Sequence, residues 1–125
     1  MPHVELVGEI DLAAFHARFA PRSWNDEEAI TKVDGCFLAH DGRSCLIECQ
    51  VIEGYLRQAF LVLVTTRPSG LMVRLYPRTA PEKTHAVRRC LAWIARWLGE
   101  PLPRLELGST NLEIELTEPW PPGPS

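Results

Sequence analysis

Between Ile30 and Tyr76 four successive apolar-rich runs read as strands, whose side chains fall to alternate faces. The runs cover residues 30–40, 43–52, 55–66 and 71–76, and the breaks between them carry turn chemistry. Asp41-Gly42 predicts a type I′ hairpin turn, Glu53-Gly54 a second turn, and Arg67-Pro68-Ser69-Gly70 a third. Gly35 is a candidate bulge inside the first run. A two-residue turn at 41–42 sets Cys36 opposite Ile47, and alternation then sorts the meander into two faces. One face holds Cys36, Leu38, Cys45, Ile47, Cys49, Val51, Leu56, Phe60, Val62 and Val64, and reads as core. The other holds Phe37, Ala39, Leu46, Ile52, Tyr55, Ala59, Leu61 and Leu63, diluted by Ser44, Glu48, Gln50 and Arg57. That second face is too apolar to be left to water, so it predicts a cover, and a homodimer partner is the expected one.

The period becomes helical across residues 80–98. Val87, Cys90, Leu91, Ile94 and Leu98 form an apolar stripe, widened by Ala86, Trp93 and Trp97. Thr79-Ala80-Pro81-Glu82 fits a capping box at its start, and Gly99 a stop at its end. A shorter helix is predicted over 11–20, capped by Asp11 and halted by Pro21, with Leu12, Phe15 and Phe19 on one side. Residues 4–10 read as a strand, and the polar stretch 21–28, with Trp24 its one large apolar residue, as a loop. Residues 104–107 and 112–117 read as a closing hairpin around Gly108-Ser109-Thr110-Asn111, with Arg104 opposite Glu115 and Glu106 opposite Glu113. The predicted order is β-α-β-β-β-β-α-β-β. It is an α+β chain with a mostly antiparallel meander sheet of about five to seven strands. Residues 1–118 form one domain, and the proline-rich 119–125 a flexible tail.

A chain of 125 residues suits that single domain. No apolar run is long enough to span a bilayer, so no membrane association is expected. The opening MPHVELVGEI carries acids and lacks the apolar stretch of a secretory signal, which predicts a cytoplasmic protein with free thiols. Charge is unevenly spread. Residues 1–53 carry a net −6, residues 54–99 a net +7 and residues 100–125 a net −4, within a total of −3. Arg88, Arg89 and Arg96 on the long helix are candidate anion-binding residues. The acidic total, the sparse aromatics and the absence of RRM, KH or zinc-finger signatures make nucleic acid an unlikely partner. The charge pattern favours basic and acidic segments meeting inside the same molecule.

No P-loop, dinucleotide fingerprint, zinc-protease or nucleophile-elbow motif occurs, and no cofactor is implied. Cys36, Cys45 and Cys49 share one sheet face, a pattern open to a thiolate metal site but more typical of buried apolar thiols, so no metal is expected. Glu48 falls mid-strand near Gln50, Tyr55 and Arg57, and these four are candidate lining for a ligand pocket. The pattern therefore points to a small non-enzymatic accessory protein, chaperone- or adaptor-like, acting through contacts with another protein. Two alternatives remain open: a ligand-binding or enzymatic domain with a pocket between sheet and helix, and an anion or nucleic-acid binder using the arginine-rich block 54–99.

Overall fold

The computed structural model describes residues 1–118, and the tail expected at 119–125 lies outside the described residues. Seven strands form one sheet: β1 (His3–Val7), β2 (Arg22–Asn25), β3 (Ile30–Leu38), β4 (Ser44–Glu53), β5 (Leu56–Arg67), β6 (Gly70–Leu75) and β7 (Glu106–Thr110). Three helices accompany them: α1 (Leu12–Arg18), α2 (His85–Leu98) and α3 (Glu113–Thr117). The spatial order is β2-β3-β4-β5-β6-β1-β7, and each pairing is antiparallel. The α+β class and the central meander thus match the reading of the sequence.

Register follows the hairpins. Cys36 stands opposite Ile47, and a register shift between Val33 and Gly35 marks the bulge. Ile47, Cys49, Val51, Phe60, Val62 and Val64 are buried on the inner face. Helix α2 lies across that face, with Val87, Leu91, Ile94 and Leu98 wholly enclosed. Burying side chains of this kind contributes roughly 1.5–3 kcal/mol each relative to leaving them in water. Helix α1 joins the same layer: Asp11 caps it by accepting from Ala13 and Ala14 N–H. Phe15 then meets Trp97 at 5.2 Å between ring centroids, and Phe19 stacks on Trp97 at 5.2 Å. Helix α3 packs on α2. All three helices therefore lie on one side of the sheet.

Five local expectations are corrected, the first being the second turn: Glu53 pairs with Leu56, so Gly54-Tyr55 makes the turn rather than Glu53-Gly54. The turn at Asp41-Gly42 keeps the expected register but is not type I′, because among the described residues none other than glycine has positive φ. Asp41 instead accepts from Arg43 N–H at 3.0 Å, which spares a non-glycine residue the left-handed conformation. The predicted loop at 21–28 contains β2, an edge strand held by its ladder to β3 and by Trp24 packing 5.3 Å from the Trp93 ring. The capping box at Thr79 is not used. Helix α2 starts five residues later, where Thr84 accepts from Val87 N–H at 3.3 Å. The intervening chain is pinned to β5, with Glu82 N–H donating to Gln58 Oε1 at 2.6 Å. Finally, the closing hairpin does not form. Strand β7 pairs with β1, and residues 113–117 are helical because Leu112 and Glu115, three apart, both bury against α2 and its surroundings.

Candidate functional site

On the helical side the charges are spent within the molecule. Arg89, 8 % exposed, meets Glu28 at 2.7 Å and Asp26 at 3.0 Å while its guanidinium lies 4.5 Å from the Trp93 ring centroid. Partial burial works against the Asp26 carboxylate. The Ala29 N–H and Arg89 outweigh that and hold its pKa below the ordinary value. Arg88 pairs with Glu115 at 3.2 Å, and Arg96 donates to the Glu118 carbonyl at 2.7 Å. His85 bridges Glu28 at 2.6 Å and Glu118 at 2.5 Å, and those two acceptors raise its pKa. The three candidate anion-binding arginines are thus each engaged by groups of their own chain. The basic middle block meets the acidic loop before β3 and the acidic C-terminal helix, as the charge pattern suggested.

The cysteines occupy the inner face. Cys45, Cys49 and Cys90 are buried, and Cys36 is half-buried at the rim. Cys36 and Cys45 influence each other: the Cys45 thiol lowers the pKa of Cys36, while Cys36 and burial raise that of Cys45. Burial, and then Cys90 across from it on α2, pushes the Cys49 thiol far up. Among the described residues no three His, Cys, Asp or Glu side chains are grouped to hold a metal ion. The shared face of Cys36, Cys45 and Cys49 is confirmed by the register, and Cys90 is the fourth sulfur that strand alternation could not place.

The opposite face of the sheet has a different character. Leu46, Leu61, Leu63 and Tyr76 are half-buried there, and Phe37 is 57 % exposed. They form a stripe across β3 to β6: Phe37 pairs with Leu46, Leu46 with Leu63, and Leu63 with Arg74. Gly35 shapes one end of it, since a Cβ there would meet the Phe37 ring at 3.3 Å and Glu48 Oε1 at 3.6 Å. Two open hollows flank the stripe. One, about 200 Å³, is lined by Phe37, Ala39, Leu46, Leu63 and Tyr76. The other, about 290 Å³, is lined by Glu48, Gln50, Ala59, Leu61 and Thr79.

The ligand-pocket candidates separate at this point. Glu48 and Gln50 line the second hollow, and Gln50 donates to Asp34 Oδ2 at 3.1 Å. Tyr55 stands fully exposed at the β4–β5 turn, and Arg57 is exposed opposite Ile52, so neither lines it. The hollow also opens away from α2 rather than between sheet and helix. A further depression of about 660 Å³ lies between the β1–α1 connection and the β5–β6 turn. Its charged groups, Glu9, Asp11 and Arg67, are all exposed. The sequence reading counted Arg74 only within the arginine-rich block 54–99 and did not place it on the outer face, where its Nε is buried without a hydrogen-bond partner beside the apolar stripe. Its signal was available: an arginine flanked by Val73 and Leu75 in a strand whose neighbours alternate inward.

No family model, no curated protein and no solved structure matches the chain.

Proposed function

We propose that this protein is a non-enzymatic binding module of the cytoplasm that acts through protein–protein contacts made by the open face of its sheet. The observation that carries the reading is the continuous stripe of Phe37, Leu46, Leu63 and Tyr76 on a face that, among the described residues, no helix covers. Contiguous exposed apolar surface of this kind marks interaction sites, and aromatic side chains supply most of the anchoring at such surfaces. A face of this sort buries its stripe against a partner while leaving the polar groups at the rim wet. The four free cysteines are compatible with a reducing compartment.

The ligand-pocket reading has weaker support, since only two of its four residues line a common hollow. The anion-binding reading is weaker again, because Arg88, Arg89 and Arg96 are engaged by Glu115, by Asp26 and Glu28, and by the Glu118 carbonyl.

A photo-crosslinking amino acid placed at position 37 in cells tests the proposal, with the same group at Ile114 as control. Ile114 is 73 % exposed on the helical side. A discrete adduct at position 37, absent at 114 and lost when Leu63→Glu is added, is the expected result. An equal or empty pattern at both positions overturns it.

A further inference from the structure

The open face carries charge as well as apolar surface, and the two signs are separated across it. The flank formed by β3 and β4 presents Asp34 and Glu48, and the flank formed by β5 and β6 presents Arg57 and Arg74. Lys32 on β3 is the exception to this division. Glu48, Arg57 and Arg74 make no ion pair among the described residues, in contrast to the arginines of α2. The Arg74 Nε is buried and unpartnered, a state that costs stability unless an acceptor arrives from outside.

Asp34 and Glu48 on one side and Arg74 on the other, with an apolar stripe between them, match each other across two copies, whereas Arg57 stands four residues along β5 from the Glu48 row and nearer the Lys32 row, and takes no part in the match. The match is made by a two-fold axis in the plane of the interface, running along the strands between β4 and β5. That operation lays β3 and β4 of one protomer over β6 and β5 of its partner. Leu46 then lies over Leu63, because these residues are paired across β4 and β5. Phe37 lies over Arg74, because both stand in that same row of the sheet. Arg74 comes within reach of Asp34 and Glu48 of the other copy, and its cation faces an aromatic ring. Two sheets packed in this way sit about 10 Å apart with strands roughly 30° from alignment, which long side chains bridge. Strands β3 and β6 share three rows of the sheet, those of Val62, Leu63 and Val64, so the contact has a four-strand centre of about 19 by 10 Å along a longer β4–β5 pair.

We infer that the partner seated on the open sheet face is a second copy of this chain, related by a two-fold axis parallel to the strands between β4 and β5. This rests on the face being a binding surface, as proposed above, and adds the identity and orientation of the occupant.

Native mass spectrometry and sedimentation velocity on the full chain test it. The expected species has twice the chain mass of 14.1 kDa. Arg74→Glu alone and Glu48→Arg alone each weaken self-association by about tenfold or more, since each places like charges together twice in the symmetric pair. Mixing the two variants restores a dimer, because every flank then meets its opposite, and it is a heterodimer of one copy of each. Glu48 is exposed and Arg74 half-buried on the open face, so circular dichroism spectra are expected to match the parent, while the thermal midpoint falls as the stabilisation from dimerisation is lost. A chain that stays monomeric at its highest soluble concentration overturns the inference. So does a dimer indifferent to both charge reversals, or a mixture that fails to recover. If position 37 still crosslinks to a protein of another mass, the binding-surface reading stands while this inference falls.

Discussion

The guanidinium of Arg89 meets the carboxylate of Glu28 at 2.7 Å, tying the middle of the long helix to the loop between β2 and β3. The pair is lopsided in burial. The Arg89 side chain is 10 % exposed and that of Glu28 34 %. Removing the arginine therefore loses packing over Trp93 together with two carboxylate contacts, whereas removing the glutamate frees a group that Asp26 still engages. Arg89→Ala is expected to lower unfolding free energy by about 2–3 kcal/mol, with Glu28→Gln costing under about 1 kcal/mol. Urea denaturation of the two variants checks the asymmetry.

His85 contributes a pH dependence of definite sign. Glu28 first and Glu118 second stabilise its protonated form, so its folded pKa lies above the ordinary 6.5. Its stabilisation is complete below that ordinary value and is lost as pH rises through the raised one. The His85 side chain is 44 % exposed, so the amplitude is small, up to about 1 kcal/mol. The unfolding midpoint of the parent should fall on going from about pH 6 to about pH 9, while His85→Gln shows a flatter profile over the same window. Parallel slopes for both proteins would remove His85 from this role.

Two glycines separate steric from conformational need. A Cβ at Gly70 would lie 1.8 Å from the Leu6 carbonyl oxygen of β1, a backbone atom that cannot swing aside. Gly70→Ala should therefore cost more than about 3 kcal/mol by forcing β6 and β1 apart. At Gly42 a Cβ meets nothing within 4 Å, and only the φ of +72° opposes it. Gly42→Ala should cost about 1 kcal/mol. Chemical denaturation of the pair measures the difference directly.

The cysteines should react in a fixed order. Cys36 is half-buried and its pKa is lowered by the neighbouring Cys45 thiol, whereas Cys45 and Cys49 are buried with raised values. Iodoacetamide at neutral pH should alkylate Cys36 first in the folded protein, with Cys45, Cys49 and Cys90 modified only as the chain unfolds. Peptide mapping at short times reads this out, and uniform labelling of all four would contradict the buried placement.

Much of the fold is legible in the sequence because it is built from local signals. The alternation from Ile30 to Tyr76 sorts inner from outer side chains, and turn residues set register by parity, which suffices to place Cys36 opposite Ile47. The apolar stripe from Val87 to Leu98 identifies the helix that covers the inner face. The apolar outer face is equally visible, since period-two alternation displays both faces of a strand.

Tertiary contact decided the rest. Arg22–Asn25 has no strand pattern of its own and becomes one by pairing with β3 and seating Trp24 on Trp93. Glu113–Thr117 alternates like a strand, yet five residues cannot separate a period of two from a helical one. The choice fell to the burial of Leu112 and the Arg88–Glu115 contact. Cys90 meets Cys49 only through the packing of the helix against the sheet. Chain-local physics sets which residues share a face, whereas which faces meet depends on packing between segments far apart in sequence. That is why both faces of the meander could be read from the residues alone, whereas the meeting of Cys49 with Cys90 and of Arg88 with Glu115 could not.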